Sequence, residues 1–128
     1  MYHQEKNVIF AEDNISITKL LKFKLQKEGF KLISLPSGDG VVEAVIKNSP
    51  HLVILDIMMP VKDGMTILKE IKSNNSISHI PVVMLSSQVD EGVIVEAFKL
   101  GAADYITKPF STTELMMRIN RQLHMVSV

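Results

Sequence analysis

Glu12-Asp13, Asp56, Ser86 and Lys108 are the residues whose types and spacing could do chemistry together. Each follows a short run that reads as a strand: Asn7 to Ala11 before the acid pair, Leu52 to Leu55 before Asp56, Val82 to Leu85 before Ser86, and Asp104 to Thr107 before Lys108. Three carboxylates brought together repel one another unless a cation intervenes. Their hard oxygens suit Mg2+, with Mn2+ as a substitute, an ion that takes few protein carboxylates and leaves positions for phosphate oxygens. A nearby ammonium and hydroxyl would supply donors to the equatorial oxygens of a phosphoryl group. A carboxylate is also a nucleophile toward phosphorus, so the set could move a phosphoryl group onto Asp56. Taken singly, each residue has a plainer explanation. Asp56 could cap a turn, the acid pair could favour a helix dipole, Ser86 could be a strand-end hydroxyl and Lys108 a solvated loop lysine. Caps do not explain their recurrence at the ends of four runs.

The elements that must position them can be read from periodicity. Asn7 to Ala11 reads as a strand, and Asn14 caps a helix over residues 15 to 28 with Ile17, Leu20, Leu21 and Leu25 on one face. Gly29 stands where a left-handed C-terminal residue belongs. Phe30 to Leu35 is a second strand, and Asp39 to Asn48 a second helix with Val41, Val42 and Val45 inward. The run at 52 to 55 has no polar alternation, the pattern of a strand covered on both faces. A third helix spans about Gly64 to Ser73 on Ile67, Leu68 and Ile71, and Asn74 to His79 is a polar connection. Val82 to Leu85 is a fourth buried strand, Glu91 to Leu100 a fourth helix with Gly101 at its end, and Asp104 to Thr107 a fifth strand. Ser111 caps a last helix carrying Leu115, Ile119 and Leu123. Strands alternating with helices imply parallel pairing and right-handed crossovers, hence a doubly wound α/β sheet. In such a sheet all carboxyl ends of the strands lie on one edge, where ligands collect.

The remaining bounds are broad. The 128 residues suit one domain, 46 % hydrophobic and 22 % charged, with no internal repeat or linker. Lys plus Arg and Asp plus Glu each number 14, so no global field favours nucleic acid or an anionic membrane. The absence of cysteine excludes disulfide and thiol chemistry. No apolar run approaches the roughly 20 residues of a membrane helix, and Met1 to Asn7 lacks a signal-peptide core, so a cytoplasmic location is expected. The histidines at 3, 51, 79 and 124 have no ligand spacing and read as surface residues; the eight methionines read mostly as core filler.

The chain resembles the response-regulator receiver domains of two-component signalling, the CheY-like phosphoacceptors. The motifs are Glu12-Asp13, Leu-Asp-Ile-Met-Met-Pro-Val-Lys-Asp-Gly at 55–64, Pro-Val-Val-Met-Leu-Ser-Ser at 81–87 and Gly-Ala-Ala-Asp-Tyr-Ile-Thr-Lys-Pro-Phe at 101–110. The resemblance covers about residues 7–123 of a single 1–128 domain. It implies a flavodoxin-like (βα)5 three-layer sandwich with strand order 2-1-3-4-5. By position it makes Asp56 the phosphorylation site and Glu12, Asp13, Asp56 and the Met58 carbonyl the Mg2+ ligands. Ser86 and Lys108 become the phosphate-binding pair, Lys108 being joined to Pro109 by a cis bond in the family. Ser86 and Tyr105 become the switch, the aromatic turning inward as Ser86 is drawn to the phosphate. The resemblance also implies a sensor histidine kinase or phosphotransfer protein as donor. Output would pass to an effector domain, a partner protein or a homodimer through helices 4 and 5. The residues two after Asp56 and Ser86, Met58 and Gln88, would tune the rate of hydrolysis. The domain would be a signalling switch that catalyses only its own modification and its loss.

Some positions depart from that pattern. Regulators that dimerise through helices 4 and 5 usually offer basic residues on helix 4, where this chain has Ile94 and Glu96. Glu114 and Arg118 fit the dimer pattern, and Ala103 replaces a common acid. Val93, Ile94 and Val95 give helix 4 more apolar residues than one buried face needs, which fits either tighter packing or a hydrophobic partner surface. Two other classes fit less well. An aspartyl-phosphate phosphatase would want an acid where Met58 stands, and a flavin module would want a phosphate cradle where Glu12-Asp13 would repel phosphate.

Overall fold

The computed structural model describes residues 6–126. Its strands are β1 (Asn7–Ala11), β2 (Lys31–Leu35), β3 (Leu52–Asp56), β4 (Val82–Ser86) and β5 (Asp104–Thr107). They form one parallel sheet, as the alternation of strands and helices implied, in the order β2-β1-β3-β4-β5 that the resemblance implied. The helices are α1 (Ile15–Lys27), α2 (Val41–Asn48), α3 (Gly64–Ser73), α4 (Glu91–Lys99) and α5 (Thr112–Val126).

The period of two along each strand divides the core into two leaflets. Ile9, Ala11, Val53, Leu55, Val82 and Met84 point toward α2, α3 and α4, where Val41, Val45, Ile67, Leu68, Ile71 and Ala97 meet them. Val8, Phe10, Leu52, Ile54, Val83 and Leu85 point the other way, onto Leu21 and Leu25 of α1 and Leu115, Ile119 and Leu123 of α5. Every residue of β3 and β4 is buried, which is why these runs show no polar alternation. Truncating a fully buried residue such as Ile54 to Ala would cost about 2–5 kcal/mol.

Local chemistry sets the helix ends. The side chains of Asn14, Asp63, Asp90 and Ser111 accept hydrogen bonds from Ile17, Thr66, Gly92 and Glu114 N–H, at 3.1, 2.9, 2.7 and 3.0 Å. At the end of α1, Gly29 takes φ +87° and Phe30 N–H donates to Leu25 O at 2.9 Å. Phe30 is spent on closing the helix, so β2 starts at Lys31 instead of Phe30. Gly101 at φ +107° and Ala102 N–H on Ala97 O close α4 in the same way.

Several expectations are corrected. Helix α2 begins at Val41, not Asp39, because Gly40 sits at φ +78° and breaks any helical run through it. Leu20 is 38 % exposed, because α1 packs through Leu21 and Leu25 with Ile17 half-buried against the same leaflet. Val42 does face inward, half-buried against the leaflet of α2, α3 and α4. The polar connection after α3 contains a buried anchor, Ile77. His51 is not a free surface residue. Its Nδ1 accepts the Asn7 N–H at 3.1 Å while its own N–H donates to Asn7 O at 2.8 Å, tying the starts of β1 and β3. His79 and His124 are exposed, as expected, and His3 lies outside the described residues. Of the methionines, Met84 and Met116 are buried, whereas Met58 and Met117 are 62 % and 65 % exposed. Methionine is therefore only partly core filler here.

Candidate functional site

Strands β1 and β3 are neighbours, so their carboxyl ends deliver the acids side by side. Glu12 continues the parallel ladder one residue past β1, its N–H donating to Leu35 O at 3.0 Å. This leaves its side chain buried on the sheet edge while Asp13 faces solvent. Asp56 ends β3 and is also buried. One carboxylate oxygen from each of Glu12, Asp13 and Asp56 lies within 4.8 Å of the others.

Lys108 enters from β5, positioned by its own N–H on Ser86 O at 2.8 Å and followed by a cis peptide to Pro109. Its ammonium lies 2.6 Å from Glu12 Oε1 and 3.3 Å from Asp56 Oδ2. Burial alone would lower its pKa, but the adjoining Glu12 carboxylate and the charge of Asp56 outweigh it and raise the pKa above the ordinary lysine value. The angle of approach to Glu12 Oε1 is poor even though the distance is short. That buried oxygen therefore has charge neutralisation without a well-directed donor. One ammonium among three carboxylates leaves the cluster about two charges negative. A buried oxygen without a directed donor in a net-negative oxygen cluster fits a hard divalent cation. Glu12, Asp13 and Asp56 are the side chains that could hold one.

The other residues surround this centre. Asp56 Oδ1 accepts the Met58 N–H at 3.2 Å, while the Met58 side chain points to solvent. Ser86 is fully buried at the end of β4 and its Oγ accepts the Gln88 N–H at 3.1 Å. Tyr105 is 8 % exposed, packed with the α2-α3-α4 leaflet, and its hydroxyl donates to Gln88 O at 2.9 Å. The ring is thus already turned inward. A groove of 820 Å³ opens beside the cluster, lined by Asp13, Met58, Met59, Met65, Val93 and Glu96 among others.

Two features were not anticipated from sequence. Arg118 on α5 directs one nitrogen at both oxygens of Asp104, at 2.8 and 2.9 Å, and lies 4.0 Å from Glu114. On α4, Val93 and Ile94 pack against the core, so the outward apolar residues are Val95 and Phe98, 43 % and 46 % exposed. An i, i+3 count over residues 95 and 98 would have shown that pair.

A five-stranded parallel α/β sandwich in this strand order, with an acid cluster and a lysine on one sheet edge, is the architecture of a receiver-type signalling domain. The family model of the response regulator receiver domain matches residues 8–120, and the chain belongs to that family. It is 37 % identical over 123 residues to the transcriptional regulatory protein RprY of Bacteroides fragilis, covering 96 % of this chain and 51 % of RprY. The chain thus spans about half the length of that relative. Among solved structures it resembles the BeF3-activated N-terminal receiver domain of RstA from Klebsiella pneumoniae, with 30 % identity and a TM-score of 0.84. That match covers 92 % of this chain and 98 % of the other. The receiver domain of Francisella response regulator 1452 is similar at 30 % identity and TM-score 0.85, over 94 % of this chain and 98 % of its own.

Proposed function

We propose that this domain accepts a phosphoryl group on Asp56 from the phosphohistidine of a sensor histidine kinase or phosphotransfer protein. The observation that carries the reading is the convergence of Lys108 on Glu12 and Asp56, 2.6 and 3.3 Å away, beside a third carboxylate within 4.8 Å. An Asp56 carboxylate oxygen attacks phosphorus, and the phosphorus–nitrogen bond breaks with its electron pair passing to the imidazole. Glu12, Asp13, Asp56 and the Met58 backbone carbonyl would hold Mg2+. When bound, the ion supplies Lewis-acid neutralisation of phosphoryl charge. Lys108 follows the charge as it moves onto the transferred oxygens, since its ammonium already sits at Asp56.

The same geometry supports a switch. The Gln88 backbone is held at both ends, its N–H by Ser86 Oγ and its carbonyl by Tyr105 OH. A phosphoryl group on Asp56 competes for the Ser86 hydroxyl and so shifts the loop between β4 and α4. With Tyr105 already inward, modification selects between loop arrangements and does not need to create one. The readout surface is the α4-β5-α5 face with Val95 and Phe98 outward, which suits an effector domain, a partner protein or a second copy. The reading takes the chain as one receiver unit that acts in the cytoplasm and modifies only itself. No helix among the described residues is long and apolar enough to cross a membrane.

The test is incubation with Mg2+ and a small acyl phosphate, read by intact mass. One phosphoryl group per chain is expected, with none on Asp56→Asn. Label that persists in Asp56→Asn would refute the assignment.

A further inference from the structure

The loop from Asp56 to Gly64 is closed at its base and fastened at its tip. At the base, Gly64 N–H donates to Ile57 O at 2.8 Å, and a Cβ on Gly64 would lie 2.3 Å from Asp56 O. At the tip, Pro60 O accepts two N–H groups, from Lys62 at 2.9 Å and from Gly38 at 3.1 Å. The first bond spans two residues around Val61, whose φ of +74° marks the rarer, strained form of γ-turn. The second comes from outside the loop, from the segment between β2 and α2. Gly38 approaches so closely that a Cβ there would lie 1.9 Å from Lys62 O and 2.7 Å from Lys62 C. Both are backbone atoms, so no side-chain rotation makes room. Met58 and Met59 lie between the base and the fastened tip.

We infer that Gly38 is a positioning residue for the metal site, acting through Pro60–Lys62 on the Met58 backbone. This rests on the proposed function, in which the Met58 carbonyl is one of the ligands. Gly38 touches no ligand itself. It sets where the tip of the loop stands, and the closed base passes that placement to the two residues following Asp56. Groups that orient ligands from behind typically change metal affinity about 10–100-fold when altered. A strained turn persists only where neighbours over-determine it, and the Gly38 bond supplies that determination at Val61.

The experiment compares Gly38→Ala with Gly40→Ala and Gly29→Ala. The two controls carry the same substitution at φ +78° and +87° with nothing within 4 Å of the added methyl group. They should lose stability from backbone strain yet keep Mg2+ affinity within about twofold of wild type, whereas Gly38→Ala should lose at least about tenfold, measured by titration calorimetry. A second measurement uses the unaltered chain and stands even if Gly38→Ala does not fold. Saturating Mg2+ should slow exchange of the Gly38 amide more than that of the Gly29 amide, because a metal that holds the loop also holds the bond from Gly38 to Pro60. Wild-type affinity in folded Gly38→Ala, or a Gly38 amide indifferent to Mg2+, overturns the inference. A wild-type chain that binds no Mg2+ at all overturns the metal reading itself, a separate and recognisable result.

Discussion

The Tyr105 hydroxyl donates to the Gln88 carbonyl at 2.9 Å, joining β5 to the loop that follows β4. This bond turns a packing residue into a latch. Tyr105→Phe keeps the ring in its leaflet but leaves the Gln88 carbonyl without that donor, at a cost of about 1 kcal/mol. Phosphorylation of Asp56 should survive the change, since the hydroxyl bonds the Gln88 backbone and none of the acids. Protease accessibility of the loop between β4 and α4 should rise. An unchanged digestion pattern would mean the latch carries no load.

Mg2+ should stabilise the fold by relieving repulsion among Glu12, Asp13 and Asp56. At ten times the dissociation constant the gain is about 1.4 kcal/mol by mass action. Asp13→Asn removes one exposed charge from the cluster, so it should weaken Mg2+ binding without lowering the stability of the metal-free chain. A thermal melt with and without millimolar Mg2+ checks both statements, and a large loss of stability in metal-free Asp13→Asn would contradict the repulsion argument.

Lys108 gives a pH dependence with a definite sign. Its pKa is raised in the folded state, so its contribution is fully present below the ordinary lysine value of 10.5 and fades as pH climbs through the higher folded value. Lys72 behaves oppositely. Burial lowers its pKa, so its charge is a burden below the depressed value, and that burden lifts by the time pH reaches 10.5. Its bonds to Ser78 O and Ile80 O at 3.0 and 2.8 Å offset part of that cost. Lys108→Met should cost about 1–3 kcal/mol at neutral pH without Mg2+, because two buried carboxylates lose their counter-charge. Denaturation midpoints from pH 8 upward should therefore converge for wild type and Lys108→Met only at the alkaline end.

Val61 offers a stabilising change. A β-branched residue at φ +74° is strained by about 1–2 kcal/mol, and glycine would relieve this while adding about 0.5–1 kcal/mol of unfolded-state entropy. Val61→Gly should then gain up to about 1.5 kcal/mol, read as a higher urea midpoint at unchanged slope. The side chain is 81 % exposed, so little packing is lost.

Much of this molecule was legible in its sequence, for physical reasons. Apolar runs without polar alternation identified β3 and β4, and in a parallel sheet their ends must share an edge. That alone brought Glu12, Asp13, Asp56, Ser86 and Lys108 into one neighbourhood. Contacts formed by backbone at a distance were not legible. Nothing in the letters Ser37-Gly38 says that a loop 22 residues further on will press against them, because glycine signals freedom and not what uses it. The inward Tyr105 and the outward Leu20 were hidden likewise, since a period locates a face but not its width.

The Asp104–Arg118 pair bears on how this surface can associate. The guanidinium is engaged by a carboxylate of its own chain at 2.8 Å, and Glu114 stands 4.0 Å from its other nitrogen. A visiting acid must first displace a resident one whose effective concentration no dilution lowers. Charge then supplies little net attraction, and binding strength falls to the exposed apolar pair of Val95 and Phe98. Assembly on this face should accordingly be almost indifferent to ionic strength, and sensitive to the loss of a single phenyl ring.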